Sequence, residues 1–298
     1  IQALNIVYPH EDLSNNSGPI DLKEMVGKSG LDRIMSWKEE KSATPKRDNF
    51  DYKDRDTYED IFSPDKIGKY SSKIKTICDR VMNSDGVVLV YSQFIDGGLV
   101  PLALALEQLG FTRARTKKTL FVENRLPKNK TNLKYAMITG DKAFSPDNVE
   151  ELRIVTQTKN MNGDFAKVVL ISRAGSEGLD FKFIRQVHIM EPWFNLNRVE
   201  QIIGRAVRTC SHKSLEFSKR NVEIYLHCLS LKTGFESIDM YMYRKAEIKS
   251  IQIGNVSRAL KNVSTDCLLN ISQTNFSENI MKQTKKLTLS TRDEDGKS

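Results

Sequence analysis

Five short apolar runs divide the middle of the chain. The runs are rich in β-branched residues and nearly continuous, as expected of strands that are buried on both faces of a parallel sheet. Stretches with apolar residues at helical spacing lie between them, so the pattern predicts an open, mostly parallel α/β sheet with helices on both faces. The five runs are VVLVYSQF (87–94), YAMITG (135–140), VVLISRAG (168–175), QVHIMEP (186–192) and VEIYLHCLS (222–230).

Four stretches carry the helical signal. The stretch 99–111 is strongly apolar and reaches a helix stop at Gly110, whereas 148–160 opens with an acidic pair that suits the helix dipole. Helices over these stretches complete the expected series of alternating strands and helices. The four stretches are 69–84, 99–111, 148–160 and 199–210.

The polarity of the chain changes along its length and predicts three regions. Residues 1–65 are mostly polar, and their charge-dense stretch KRDNFDYKDRDTYED (46–60) predicts an extended or loosely ordered connection to an upstream domain. Residues 66–232 hold the alternating pattern of the α/β domain. Residues 233–298 are helical in pattern at first and then polar, which predicts a C-terminal helical appendage with a frayed tail.

Charge and composition narrow the classes of partner. A formal net charge of +8 and a pI of about 9.1 favour polyanionic partners such as nucleic acid. No run of about 18 apolar residues occurs, so we expect no transmembrane helix and no membrane partner. The four cysteines have no ligand spacing with one another or with the histidines, so we expect no metal site.

The stretch QIIGRAVRTC (201–210) holds the most specific pattern. On a helix, Gln201, Gly204, Arg205 and Arg208 fall within one arc of roughly 100°, and the apolar residues of 199–210, Val207 and Cys210 among them, occupy the opposite face. Arginine presents a planar fork that binds phosphate oxygens in a bidentate way, and a glycine in this line suggests a close approach to the backbone. An ordinary solvated helix face is the alternative.

Two strand ends supply further candidates. In open α/β sheets the working residues lie on loops at the carboxyl ends of the strands. The loop RAGSEGLDF contains Gly178 and Asp180, where glycine permits close approach to a ligand and the carboxylate suits a ribose hydroxyl or an arginine. A plain turn is the alternative at each position. The turn after VVLVY offers Ser92 and Gln93 as candidates for contact with a phosphate backbone.

In their order and spacing these stretches resemble the second RecA-like domain of superfamily 2 helicases. VVLVYSQF is similar to motif IV, VVLISRAGSEGLDF to motif V, and QIIGRAVR to the QxxGRxxR of motif VI; EPWFN resembles an aromatic segment of Snf2-type members. NFDYK, SPDKIGKYSSKI, QIIGRAVRTCSH and TDCLLN resemble the helicases of large cytoplasmic DNA viruses. That group includes the small subunit of the poxvirus early transcription factor and nucleoside triphosphate phosphohydrolase I. The resemblance covers most of residues 1–270.

The resemblance implies a RecA-like fold and a role for each candidate. Arg205 and Arg208 would act as arginine fingers on an ATP that is bound to the upstream RecA-like domain, with Gln201 positioning the nucleotide. Gly178, Asp180 and Gly204 would lie at the same interface. The residues that would face the nucleic-acid backbone are Ser92, Gln93, Thr139, Gly140, Ser172 and Arg173. ATP and Mg²⁺ are the implied cofactors, held mainly by the upstream domain.

Two motifs of a complete helicase are missing from the chain. GKS occurs at 27–29, but the glycine that a phosphate-binding loop requires five positions before Gly27 is Leu22, and no strand pattern precedes it. GKS at 296–298 ends the given sequence and opens no helix, and no DEx[HD] box occurs. We therefore expect one half of an ATP-dependent helicase or translocase, cut from a longer protein and inactive by itself. The implied partners are DNA or RNA, the upstream RecA-like domain and a viral RNA polymerase, in the host cytoplasm or the virion.

Alternatives remain open at this point. A Snf2-like duplex translocase that does not separate strands has the same motifs. A non-catalytic module that binds nucleic acid or the transcription machinery is the alternative from another class. The basic stretches RARTKK (113–118) and RLPKNKTNLK (125–134) are either phosphate contacts or a solvated insertion.

Overall fold

The computed structural model describes residues 2–10, 21–39, 48–58, 60–115, 119–173, 179–231 and 234–264. Contacts divide the chain into two units, Ile1–Ala246 and Glu247–Ser298. The first unit contains all the strands given below, and the described part of the second is helical.

A six-stranded sheet forms the centre of the first unit. Its strand order is β4-β5-β6-β3-β7-β8, and every neighbouring pair is parallel, so the expected RecA-like α/β fold is confirmed. Two further strands, β1 and β2, form a separate antiparallel pair. In chain order the strands are β1 (Met35–Glu39), β2 (Asp48–Tyr52), β3 (Val87–Tyr91), β4 (Thr112–Arg113), β5 (Lys134–Ile138), β6 (Val168–Ile171), β7 (Ile184–Ile189) and β8 (Glu223–Leu226).

The helices follow the strands as the apolar spacing predicts. A π-helical turn at Ile95–Leu99 leads directly into α6, and Ser71 caps α5 by accepting a hydrogen bond from the backbone of Ile74 at 3.0 Å. None of the described helices has the length and hydropathy of a bilayer-crossing segment. The helices are α1 (Gln2–Asn5), α2 (Gly27–Ile34), α3 (Arg55–Tyr58), α4 (Ile67–Tyr70), α5 (Ser72–Met82), α6 (Val100–Gln108), α7 (Asn148–Thr156), α8 (Leu196–Ala206) and α9 (Ile238–Val263).

The sheet has an apolar core on each face. Successive strand residues point to opposite faces, so Val88 and Val90 join one buried cluster while Val87 and Leu89 join the other. The first cluster includes apolar residues of α5 and α6, and the second includes residues of α7 and α8. Burial on both faces explains why β3, β5, β6 and β7 are nearly continuous apolar runs. The expectation of burial on both faces is wrong for β8, because this strand lies at the edge of the sheet and its Ile224 and Leu226 are exposed.

The N-terminal region packs into the first of these cores. Phe50 and Tyr52 are buried on β2, and Tyr58 on α3 is buried beside them. Asp51, between the two aromatic residues, is buried in an ion pair with Arg125, whose Nε lies 2.7 Å from its carboxylate. Of the two alternatives for 46–60, an extended stretch agrees with the strand β2 and a loosely ordered one is wrong there, because alternating aromatic residues within the charged stretch supply a buried strand face.

Candidate functional site

The helix α8 ends earlier than the sequence predicts. Val199, Ile202 and Ala206 pack against the sheet as expected, but the chain leaves helical geometry at Val207, with φ −106° and ψ 81°. Val207 is 49% exposed and Cys210 is also exposed, so their assignment to the apolar helix face is wrong. Both lie beyond the last helical residue.

The polar side of α8 is open. Gln201 is exposed, and a Cβ added at Gly204 would meet no atom within 4 Å. Nothing in the described part of this chain approaches the helix there. Among the described residues, none occupies the space beside Gly204.

Asp180 joins the two arginines of the motif. Arg208 donates from Nη1 to Asp180 Oδ2, and Arg205 Nη1 lies 3.8 Å from the other carboxylate oxygen. Arg205 also donates to the carbonyl of Leu179 at 3.2 Å. The side chains of Arg205 and Arg208 are 25% and 46% exposed, so this is a surface cluster in which one carboxylate holds two guanidinium groups. Exposed ion pairs contribute roughly 0–1 kcal/mol, so a phosphate group can displace Asp180 at little cost.

This arginine cluster lies at the amino end of β7, whereas the loop that contains Asp180 was expected to act at the carboxyl end of β6. Phe181, just before β7, donates its backbone N–H to the carbonyl of Arg205 at 3.2 Å. The reason is that α8 runs back along the sheet. Its 11 residues cover about 16 Å, close to the length of β7, about 20 Å. Gly178 lies outside the described residues.

The carboxyl edge of the sheet carries the residues that were predicted to face nucleic acid. Three of them, Ser92, Thr139 and Ser172, are buried. Thr139 Oγ1 lies 3.0 Å from Ser145 Oγ, and Ser92 Oγ donates to the carboxylate of Glu191. The hydroxyl groups of Ser92 and Thr139 are therefore engaged inside the protein, and these residues hold their loops from beneath.

The more exposed members of that set are Gln93, Gly140 and Arg173. The guanidinium carbon of Arg173 lies 5.8 Å from the ring centroid of Trp193, and that of Arg198 lies 5.7 Å from the same centroid. Both distances permit cation–π attraction. The strand ends thus present an amide, a glycine backbone, a guanidinium group and an aromatic ring along one edge.

Glu191 is a buried residue of this edge that the sequence interpretation did not single out. Its carboxylate accepts hydrogen bonds from Ser92 Oγ, from Asn5 Nδ2 of α1 and from the backbone N–H of Gln93 at 3.1 Å. Burial raises the pKa of Glu191 to about 7, although these hydrogen bonds and the charge of Lys73 lower it. The only signal in the sequence is an acidic residue directly after an apolar run, which is also typical of a solvated turn.

In the basic stretch 113–118, Arg113 does not face solvent. Arg113 is buried on β4, and its Nη2 lies 3.0 Å from the carboxylate of Glu151 on α7. A paired and buried arginine is unable to reach an external phosphate, so its assignment as a nucleic-acid contact is wrong. Residues 116–118 lie outside the described residues.

Comparisons with known proteins agree with the motifs. Residues 72–210 match the family described as Helicase conserved C-terminal domain. The chain is 34% identical over 213 residues to "Putative helicase 087L" of Invertebrate iridescent virus 3, covering 68% of this chain and 21% of that protein. It is 35% identical over 206 residues to "Putative ATP-dependent RNA helicase R563" of Acanthamoeba polyphaga mimivirus, covering 68% and 34%.

A third relative comes from another large DNA virus. The chain is 30% identical over 181 residues to the "Termination factor NPH-I homolog" of African swine fever virus (isolate Tick/Malawi/Lil 20-1/1983), covering 53% of this chain and 26% of that protein. The chain thus spans about a fifth to a third of the length of these curated relatives. It carries a helicase C-terminal domain, and its resemblance to the superfamily 2 helicases of large DNA viruses is confirmed.

Proposed function

We propose that this chain is the second RecA-like lobe of an ATP-dependent helicase or translocase, in which Arg205 and Arg208 contact the phosphates of ATP. The observation that carries the proposal is the pair of partly exposed guanidinium groups held by Asp180 beside the open backbone of Gly204. Gln201, exposed on the same helix, would position the nucleotide from the side.

The donor chemistry of the cluster fits a triphosphate. Two guanidinium groups offer paired N–H donors, and the Asp180 carboxylate that they bind is an anionic oxygen ligand like a phosphate. Arginine groups aimed at a transferring phosphoryl group stabilise the charge of its transition state. Among the described residues, no group of three His, Cys, Asp or Glu side chains is arranged to hold a metal ion. The resemblance to superfamily 2 helicases supports the proposal that Mg²⁺ is held mainly by the upstream RecA-like domain.

The second surface would bind nucleic acid. Gln93, Gly140 and Arg173 lie at the carboxyl edge of the sheet and offer donors to a phosphate backbone. Ser92 and Thr139 hold the loops beneath them, and Ser172 is buried there. Closure of the two lobes around ATP and their opening after hydrolysis would move this surface relative to the upstream lobe. The proposal thus links the arginine cluster at one edge of the sheet with the nucleic-acid surface at the other.

The names of the relatives suggest the setting. Because one relative is called a termination factor homolog and others are called RNA helicases, we propose a role beside the viral RNA polymerase during transcription. That role places the protein in the cytoplasm of the infected cell or in the virion. We propose DNA as the nucleic acid along which the protein moves. If RNA stimulates ATP hydrolysis and DNA does not, RNA is that nucleic acid instead.

ATP hydrolysis by the full-length protein tests the arginine assignment. We expect Arg205→Ala and Arg208→Ala each to lower kcat by roughly 10³-fold or more, since arginine fingers contribute about 10³–10⁵ in related phosphoryl transfers. The matched control is Arg153→Ala, which removes another surface arginine paired with a carboxylate, Glu150. We expect this chain without its upstream half to hydrolyse ATP negligibly. Retention of kcat within about threefold in both arginine variants would refute the assignment.

A further inference from the structure

Arg208 stands on a tight turn that follows α8. The turn closes with a hydrogen bond from the backbone N–H of Ser211 to the carbonyl of Arg208 at 3.0 Å. The side chain of Ser211 reaches back, and its Oγ accepts the backbone N–H of Arg208 at 3.3 Å. Because α8 ends at Ala206, these contacts, and not the helix, fix the backbone from which the guanidinium group extends.

His212 extends the contact into the sheet. Its Nε2 lies 2.7 Å from the carbonyl oxygen of Ile184, the first residue of β7, and its Nδ1 lies 2.7 Å from Ser211 Oγ. A carbonyl only accepts, so Nε2 carries a proton, and in the neutral ring Nδ1 accepts the hydroxyl proton of Ser211. The bonds therefore run in one direction, from Arg208 N–H to Ser211 to His212 to β7.

The series of hydrogen bonds from Arg208 through Ser211 and His212 to β7 forms a relay, and the backbone around this relay adopts strained geometry. Cys210, next to Ser211, has φ 63°, and Phe183, just before β7, also has φ 63°. Left-handed geometry is disfavoured for residues other than glycine, and it persists where the surroundings hold it. Phe183 donates its backbone N–H to the carbonyl of Ser211 at 3.3 Å, so the two strained positions meet at the buried serine.

We infer that Ser211 and His212 are positioning residues that hold Arg208 where it meets the phosphates of ATP. The inference rests on the proposed function of Arg208. Ser211 fixes the N–H of Arg208, and His212 ties Ser211 to the rigid end of β7. The guanidinium group then lies against Asp180 and is ready to exchange this carboxylate for a phosphate. Neither residue touches the nucleotide; each acts through Arg208.

The two bonds of His212 are separable by substitution in the full-length protein. His212→Asn keeps an acceptor for Ser211 near the Nδ1 position and removes the donor to Ile184. His212→Gln keeps a donor near the Nε2 position and removes the acceptor for Ser211. Ser211→Ala removes the hydroxyl group from the relay. The matched control is Ser214→Ala, which removes an exposed hydroxyl group three residues along the same segment.

We expect Ser211→Ala and each His212 variant to lower kcat for ATP hydrolysis by about 10- to 100-fold, because small displacements of a positioned group cost this much. The KM for ATP should change by less than about threefold, since binding resides mainly in the upstream lobe. Ser214→Ala should match the wild-type protein. Wild-type kcat in Ser211→Ala and in both His212 variants would overturn the inference.

A cycle with Arg208→Lys separates positioning from a general structural role. If Ser211 acts through Arg208, Ser211→Ala should lower kcat in the wild-type protein and have little further effect in Arg208→Lys. An equal fold-loss in both backgrounds would overturn the inference, because the serine would then act independently of the arginine. If Ser211→Ala fails to fold, His212→Gln gives the same comparison. An unchanged kcat in Arg208→Lys itself would overturn the proposed function, and the inference with it.

Discussion

At the scale of single residues, Glu107 shows how the fold controls a buried charge. This residue of α6 accepts hydrogen bonds from the backbone N–H groups of Leu120 at 2.6 Å and Phe121 at 2.8 Å, and from the hydroxyl of Tyr135 at 2.6 Å. Burial raises the pKa of Glu107 to about 7, and the three hydrogen bonds oppose the rise. One carboxylate thus joins α6 to β5 and to the segment that follows β4.

The raised pKa of Glu107 predicts a pH-dependent stability. The folded pKa lies above the ordinary value of 4.5, so its stabilising contribution is complete below about pH 4.5 and is lost as the pH rises through 7. The loss at this site amounts to about 3 kcal/mol. Since glutamine does not ionise, the free energy of unfolding should fall less between pH 5 and 8 in Glu107→Gln than in the wild-type protein. Urea denaturation at four pH values measures it.

The control for Glu107 is the exposed residue Glu123, whose pKa is lowered by Lys130. Glu123→Gln should shift the free energy of unfolding by a constant amount between pH 5 and 8. Parallel curves for Glu107→Gln and the wild-type protein would contradict the assignment of the raised pKa.

Sequence patterns located the exposed chemistry better than the buried polar residues. The spacing of QIIGRAVR placed Arg205 and Arg208 on one side, and both contact Asp180 in the structure. The pattern did not show that Arg208 lies beyond the helix. The helical spacing of apolar residues continues to residue 210, although the helix itself ends at Ala206. Glu107 and Glu191 were missed for a physical reason: their partners come from segments distant in sequence.

At the scale of elements, the apolar runs predicted the central sheet well. All five runs contain strands, although the strands end up to four residues earlier than the runs, for example at Tyr91 and Ile171. The runs are longer because the first residues of each following loop, such as Ser92 and Ser172, are also buried. Hydrophobic continuity reports burial, and burial at the carboxyl edge continues past the last strand hydrogen bond. The strand β2 was missed because its aromatic residues alternate with charged ones.

The junction of β7 and β8 contains a buried pair of histidines. His188 Nδ1 lies 2.9 Å from His227 Nε2, and His188 Nε2 lies 3.3 Å from the side-chain oxygen of Gln186. Burial, together with smaller effects of neighbouring positive charges, lowers the pKa of His188 to about 3 and that of His227 to about 4. Both rings are therefore neutral at pH 7, and one hydrogen bond between them links the two strands.

This pair predicts acid sensitivity of the sheet. Both folded pKa values lie below the ordinary value of 6.5, so the unfolded chain binds protons first, and stability that is complete above pH 6.5 is lost as the pH falls towards 4. Each histidine accounts for about 3 kcal/mol of this loss. Between pH 7 and 4.5, protonation of the pair should lower the free energy of unfolding about half as much in His227→Gln as in the wild-type protein. Identical falls in the two proteins would contradict the buried, neutral pair.

At the scale of the whole molecule, the sequence predicted the domain class better than the packing between regions of the chain. The domain class, the basic character and the viral relatives agree with the motifs. Polarity alone separated residues 1–65 from the α/β core, yet buried residues of this region, such as Ile6 and Phe50, belong to the core cluster that contains Val88. Such packing depends on contacts between distant segments, and a local pattern does not report them.

The positions of the exposed groups indicate which surface of this basic protein, with its net charge of +8, binds nucleic acid. Arg173 follows β6 at the carboxyl edge of the sheet, where Gln93 and Gly140 are also accessible. If this edge binds a phosphate backbone, Arg173→Ala should weaken binding of duplex DNA by this chain and reduce the slope of log affinity against log salt by about one unit, since one fewer counterion is released. Fluorescence anisotropy at several salt concentrations measures both quantities.

The control must remove the same charge from elsewhere on the chain. Lys159 is exposed on the short helical turn Thr158–Asn160, which precedes the amino end of β6, so it lies away from the proposed track. Lys159→Ala lowers the net charge by the same single unit as Arg173→Ala and should leave the salt slope nearly unchanged. Equal effects of the two substitutions would mean that the chain binds DNA through its overall charge. The assignment of DNA binding to the carboxyl edge of the sheet would then be wrong.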